Sequence, residues 1–200
     1  MIQSPRPRSD CGTVSCRALT CDDWPAIVEL FGPNGACGGC WCMYWRRPRG
    51  GQLWEQKKGR PNRDAFRRLV KAGRVHGALA FAGRTPVGWC CVGPRGDFPR
   101  LERTRALVTE WDERTWAIVC LFIKLRWRGG GVATRLVGQA VEVARSLGAG
   151  RIEAYPVAPK SEKPIPAAFA WTGVPAIFES CGFRVLPRAG FSRQVHVLDL

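Results

Sequence analysis

Apolar positions along this chain fall into two rhythms. The strongest block is residues 116–123, Trp-Ala-Ile-Val-Cys-Leu-Phe-Ile. Eight apolar residues in a row suit a strand buried on both faces and are too few to cross a bilayer. Residues 134–147 follow a helical rhythm instead. There Leu136, Ala140, Val143 and Leu147 form one stripe, and Gly148 supplies the stop. Segments 75–82 and 86–92 are apolar and joined by Gly83-Arg84-Thr85, which predicts a hairpin. Further strands are expected at 14–19, 151–155, 183–186 and 194–198. Further helices are expected at 21–31, with Asp22 and Asp23 favouring its start and Gly32 its end, and at 175–180. Another helix is expected after Asn62 as its cap, with Phe66, Leu69 and Val70 on one face and Gly73 as its stop. This order predicts an α/β fold with a mixed, mostly antiparallel central sheet flanked by helices. No internal repeat or second domain is visible. Residues 14–200 read as one domain behind a disordered tail at 1–13.

Composition narrows the function classes. At 200 residues the chain can bury a full core without external staples. The first residues, Met-Ile-Gln-Ser-Pro-Arg-Pro-Arg, have no apolar run and read as no secretory signal, so a cytoplasmic protein with no membrane span is expected. Ten cysteines in such a chain are expected to be reduced thiols. Formal net charge is +15, and residues 46–74 alone contribute eleven Lys/Arg against Glu55 and Asp64. That stretch is either a solvated face or a surface for an anionic partner.

The most informative segment joins the strong strand to the strong helix: Leu125-Arg126-Trp127-Arg128-Gly129-Gly130-Gly131-Val132-Ala133-Thr134. Glycines let backbone approach a ligand, and the helix start aims unpaired N–H groups at the same place. Such a turn suits a phosphate, with Arg128 and the Thr134 hydroxyl beside it. No Lys-Ser/Thr follows the glycines, so the mononucleotide loop is absent, and the dinucleotide pattern is only half met.

Here the sequence resembles the GNAT acyltransferase superfamily. Three segments carry the resemblance: the Arg128–Ala133 loop with its preceding strand; the helix ending Leu147-Gly148-Ala149 and running into Ile152-Glu153-Ala154-Tyr155; and Pro175-Ala176-Ile177-Phe178-Glu179-Ser180-Cys181-Gly182-Phe183. The resemblance implies a splay between two central strands and acetyl-CoA as acyl donor. Backbone groups of Leu121, Phe122 and Ile123 would pair with the pantetheine arm. Amides of Gly129, Gly130, Gly131, Val132 and Ala133 would hold the pyrophosphate, with Arg128 and Thr134 alongside. The reaction implied is acetyl transfer to an amine on a small molecule or a protein, and relatives are often homodimers.

The chain departs from that family at one point. Where a tyrosine of the last helix often protonates the leaving thiolate, this chain has Phe178. Tyr155 is the substitute donor considered, with Glu153 on the same strand face as the base; both residues merely lining the sheet is the competing reading. Cys181 follows a helix and reads as a packed thiol. His76 and His196 sit in apolar strands and read as structural.

The segment Cys37-Gly38-Gly39-Cys40-Trp41-Cys42 carries half of a structural zinc pattern, but no second CxxC accompanies it and Cys90-Cys91 is a poor partner. No metal site is therefore expected. Trp41, Tyr44 and Trp45 are the candidate wall of an acceptor pocket, or else part of the core. A second function class, a nucleic-acid or polyanion-binding module, rests on Trp45, Trp54 and Phe66 among the cations of 46–74.

Overall fold

The structure is a computed structural model and describes residues 13–48, 52–158, 170–187 and 194–200. The expected disordered tail lies, apart from residue 13, outside the described residues. Seven strands form one sheet in the order β1-β2-β3-β4-β5-β7-β6. They are β1 (Val14–Ala18), β2 (His76–Ala82), β3 (Thr85–Pro94), β4 (Thr115–Ile123), β5 (Arg151–Ala154), β6 (Arg184–Leu186) and β7 (Val195–Asp199). Only β4 and β5 run parallel; all other neighbours are antiparallel. The helices are α1 (Trp24–Phe31), α2 (Gln52–Lys57), α3 (Arg60–Lys71), α4 (Val132–Ser146) and α5 (Pro175–Glu179). No described helix is long and apolar enough to cross a membrane.

The hairpin, both central strands and α4 stand where the apolar pattern placed them; the helix ends differ, each for a local reason. α1 starts at Trp24 because the Asp23 carboxylate is bound elsewhere, accepting from both terminal nitrogens of Arg17 (2.6 and 2.5 Å) and from Thr20. Asn62 is not a cap: it is buried inside α3, and its Nδ2 donates to the Gly39 carbonyl at 3.2 Å. Gly59 N–H donates to that same carbonyl at 2.9 Å, and a Cβ on Gly39 would come within 2.4 Å of Gly59 N. The 32–45 loop is thus fastened to the start of α3. α4 begins at Val132, two residues earlier than its stripe indicated, and Leu147 lies beyond its end, exposed.

The sheet has a core on each face. Leu136 and Ala140 of α4 pack there with Val14, Ala80, Cys90, Ile118, Ile152 and Phe178. The opposite core is aromatic, with Trp24, Phe31, Trp41, Trp45, Phe66, Trp89 and Tyr155. Because side chains alternate along a strand, Ile152 and Ala154 of β5 face the first core, and Glu153 and Tyr155 the second.

Glu153 is the centre of a buried ion network there. Arg95, in the turn after β3 and 1% exposed, donates from Nε to Glu153 Oε2 at 2.9 Å. Its other nitrogens reach Glu102 Oε1 at 2.5 Å and the Leu107 carbonyl at 3.3 Å. Tyr155 Oη donates to Glu153 Oε2 at 2.6 Å. Burial and the adjacent carboxylate hold the Tyr155 hydroxyl well above the usual tyrosine range. The network pins the 95–111 segment against the sheet. Arg95→Met leaves a buried carboxylate without its cation, and urea denaturation should show a loss of about 3–5 kcal/mol. Arg95→Met with Glu153→Leu should recover most of it.

Candidate active site

β4 and β5 stay paired only as far as Ile118 and Ala154, while β4 continues to Ile123. Past that point the two strands part, and a seam opens between them. The direction of the β4 backbone groups follows from their partners. Lys124 N–H donates to Val87 on the β3 side, whereas Leu121 N–H donates to Trp171 O at 2.7 Å across the seam. Val119 O also faces the seam, where it accepts from Trp45 Nε1 at 3.0 Å. By alternation, Val119, Leu121 and Ile123 face the seam and Phe122 faces β3. This corrects one expectation: the Phe122 backbone is turned toward β3, and only its side chain reaches the site. Residues 170–173 bridge the seam, since Val157 N–H donates to Gly173 O at 2.9 Å.

Two cavities meet beside this seam. The first, about 410 Å³, is lined by Leu121, Phe122, Ile123, Arg128, Ala133, Ala170, Trp171, Gly173 and Ile177. The second, about 250 Å³, is lined by Phe31, Gly38, Cys40, Cys42, Tyr44, Trp54, Lys58 and Cys120. Ala36, Cys37, Leu121, Phe122 and Trp171 line both. The first cavity ends at the glycine turn. Gly129 and Gly131 take φ of +75° and +76°, and Gly131 precedes the first residue of α4 in the left-handed conformation. No side chain caps this helix, so the first-turn amides of Val132, Ala133 and Thr134 have no partner inside it. Arg128 is exposed, and its Nε donates to Ile123 O at 2.9 Å.

Gly130 differs from its two neighbours. It has no left-handed φ, and a Cβ there would meet only Trp127 O, at 3.9 Å. Nothing in the described fold demands a glycine at this position, and a side chain added there would point into open space beside the turn.

The expected acceptor wall is corrected in two of its three residues. Trp41 is buried between Trp24 and Phe31, at centroid distances of 5.8 and 5.7 Å. Trp45 is buried too, 5.5 Å from Trp171. Tyr44 alone of the three lines the cavity. The other aromatic walls, Phe31, Trp54, Phe122 and Trp171, were not singled out as acceptor residues. Trp54 lies in a helix too short to show periodicity. Trp171 had one usable signal, the following Gly173, whose φ is +84° and whose added Cβ would come 2.7 Å from the Phe178 ring.

The expected acid and base are corrected as well. Glu153 and Tyr155 do share a face, but both are fully buried. They are bound to each other and to Arg95, and they line neither cavity. A carboxylate outside both cavities is out of reach of an acceptor amine bound in them. Phe178 is buried 5.4 Å from Phe183 and 6.4 Å from His196. Burial lowers the pKa of both His196 and His76, and neither lines the two cavities.

The cysteines diverge. Cys37 is exposed, while Cys42 lies in the core, where it accepts from Trp89 Nε1 at 3.4 Å. Hydrogen bonding with Cys120, together with burial, pushes the Cys42 thiol well up. Among the described residues no group of three or more His, Cys, Asp or Glu could hold a metal ion. The basic stretch does not form one face either. Arg46 turns inward to Asp97 at 2.9 Å, Arg63 lies over the Trp41 ring, and Arg60, Arg67, Arg68, Lys71 and Arg74 stay exposed.

Comparison with known proteins agrees with this geometry. The acetyltransferase (GNAT) family model matches residues 41–163. The fold is similar to PaiA N-acetyltransferase from Thermoplasma acidophilum in complex with coenzyme A, with a TM-score of 0.52, 12% identity, and 94% of this chain and 99% of that one covered. It is also similar to the ribosomal-protein-alanine N-acetyltransferase of Brucella melitensis (TM-score 0.51, 15% identity, 93% and 99% covered). A third similar structure is Mycobacterium smegmatis RimJ in complex with CoA-disulfide (TM-score 0.51, 18% identity, 94% and 83% covered). No curated protein matches the sequence. With more than half of its length matched by the family model and the sheet parted beside the glycine turn, the chain belongs to the GNAT acetyltransferase family.

Proposed function

We propose that this protein transfers an acetyl group from acetyl-CoA to a primary amine in a ternary complex. One observation carries the reading: the cavity that ends at the glycine turn and the aromatic cavity share a wall at Leu121, Phe122 and Trp171. Donor and acceptor can therefore meet without leaving the protein.

The residues fit coenzyme A. Gly129, Gly130, Gly131, Val132 and Ala133 would hold the pyrophosphate through their amides, at the positive end of α4. Arg128 and Thr134 would add charge and a hydroxyl. The backbones of Leu121 and Ile123, which face the seam, would align the pantetheine arm. When bound, acetyl-CoA supplies an activated thioester carbonyl. The protein's own contribution is orientation and exclusion of water. Of the two tyrosines in the sequence, Tyr44 is the one that lines the acceptor cavity, and its hydroxyl would return a proton to the departing thiolate. The acceptor nitrogen must arrive neutral, since no described carboxylate or histidine lines either cavity.

Gly130→Leu tests the donor half. A Cβ there meets only Trp127 O, at 3.9 Å, so the melting temperature should stay within about 2 °C of the parent, as surface changes away from special features usually cost under about 0.5 kcal/mol. Acetyl-CoA affinity by calorimetry should fall at least ~100-fold, equivalent to about 2.7 kcal/mol; parental affinity would refute the assignment. Tyr44→Phe tests the transfer half: kcat should drop about 100-fold with acetyl-CoA affinity kept, and an unchanged kcat would remove Tyr44 from the reaction.

A further inference from the structure

Resting on the acetyl-transfer reading, we infer that the acceptor is a small aromatic amine whose nitrogen is conjugated to the ring and therefore uncharged at neutral pH. Three features of the second cavity lead there.

The first is size and wall chemistry. At about 250 Å³ the cavity is smaller than the roughly 300–1,000 Å³ of sites for drug-sized ligands. Its walls include Phe31, Tyr44, Trp54, Phe122 and Trp171. Tyr44 meets Trp54 and Trp171 edge-on, with centroids 5.3 and 5.1 Å away. These rings give the cavity flat apolar walls, and stacking of a planar body against them adds affinity beyond area.

The second feature is electrostatic. No carboxylate is found among the described lining residues, and the one charged side chain there is Lys58. Behind the rings the Arg100 guanidinium lies 3.8 Å from the Tyr44 centroid and 5.4 Å from that of Trp54. The attraction these rings could offer an ammonium is already engaged by a fixed cation. An alkylammonium entering here would lose its water and find no carboxylate among the described lining residues, and Glu55, the nearby acid, is already paired with Lys58 at 2.8 Å.

The third feature is that no carboxylate or histidine base lines either cavity among the described residues. A protonated amine cannot attack the thioester, and the buried Glu153 is committed to Arg95 and Tyr155. An arylamine needs no deprotonation before attack. Its nitrogen forms a bond to the acetyl carbonyl carbon as the carbon–sulfur bond breaks, and the proton that nitrogen loses ends on the CoA sulfur. The product is an anilide and free CoA thiol. A cavity with no carboxylate and no base among its described residues thus favours one substrate class on both counts.

The test compares 4-methylaniline, phenethylamine and spermidine as acceptors with acetyl-CoA and the full-length protein, reading release of CoA thiol between pH 7 and 9. At pH 7 kcat/KM for 4-methylaniline should exceed that for phenethylamine at least ~100-fold, with spermidine inert. The phenethylamine rate should rise about tenfold per pH unit as its ammonium deprotonates, while the 4-methylaniline rate stays flat. Trp54→Ala should raise KM for 4-methylaniline more than it lowers kcat. Lys58→Glu, a change at a partly exposed site, should narrow the preference by placing a carboxylate on the cavity wall and releasing Glu55 from its pair. Phenethylamine or spermidine turned over as well as 4-methylaniline at pH 7 would overturn this inference and leave acetyl transfer standing. Calorimetric binding of acetyl-CoA with no thiol released by any of the three amines would overturn the transfer reading itself, and this inference with it.

Discussion

The site depends on one mismatch of length. β5 stops pairing at Ala154 while β4 runs on to Ile123, so the far half of β4 has hydrogen-bonding groups on its β5 side with no strand to receive them. Buried backbone donors and acceptors must be satisfied, and three of these groups are met by something other than a sheet neighbour. Val119 O takes the Trp45 indole, Leu121 N–H takes Trp171 O, and Ile123 O takes Arg128. Those three contacts in turn set the acceptor-side aromatics, the bridging residues and the arginine beside the glycine turn. Had β5 been as long as β4, the sheet would have closed and no gap would separate the two strands.

The donor side was largely legible in the sequence because it is local. A continuous apolar run, three glycines and a helical stripe lie within 116–147, and short-range rules govern them. The acceptor side was not, because it is assembled from Phe31, Tyr44, Trp54, Cys120 and Trp171, which no period links. Trp41 and Tyr44 are three residues apart in sequence yet part company, the first into the core and the second onto the cavity. The cause is the backbone of the 32–45 loop, where Trp41 and Cys42 both take positive φ; an irregular loop leaves no periodicity by which to sort its faces. Glu153 shows a different limit. Strand parity put it beside Tyr155 correctly, but Arg95, 58 positions away in sequence, turns a candidate base into the partner of a buried cation.

Charge behaves similarly. The cations of 46–74 look like one basic surface when counted, and the fold divides them. Arg46 joins Asp97, and Arg63 covers Trp41. Arg100, outside that stretch, lies against Tyr44 and so influences what the cavity can admit. A guanidinium seated on an aromatic face is weakly hydrated and keeps its charge, so it biases the cavity without entering it.

The bridge at 170–173 has a consequence for any affinity measured at the seam. Trp171 O belongs to the same chain, so its contact with Leu121 N–H is intramolecular and does not depend on any concentration in solution. A molecule that takes Leu121 N–H for itself shows only its intrinsic affinity multiplied by the fraction of chains in which that donor is released. Trp171 O acts in this sense as a built-in competitor for the Leu121 donor, and a stronger hold on it would raise an apparent dissociation constant without altering a single ligand contact.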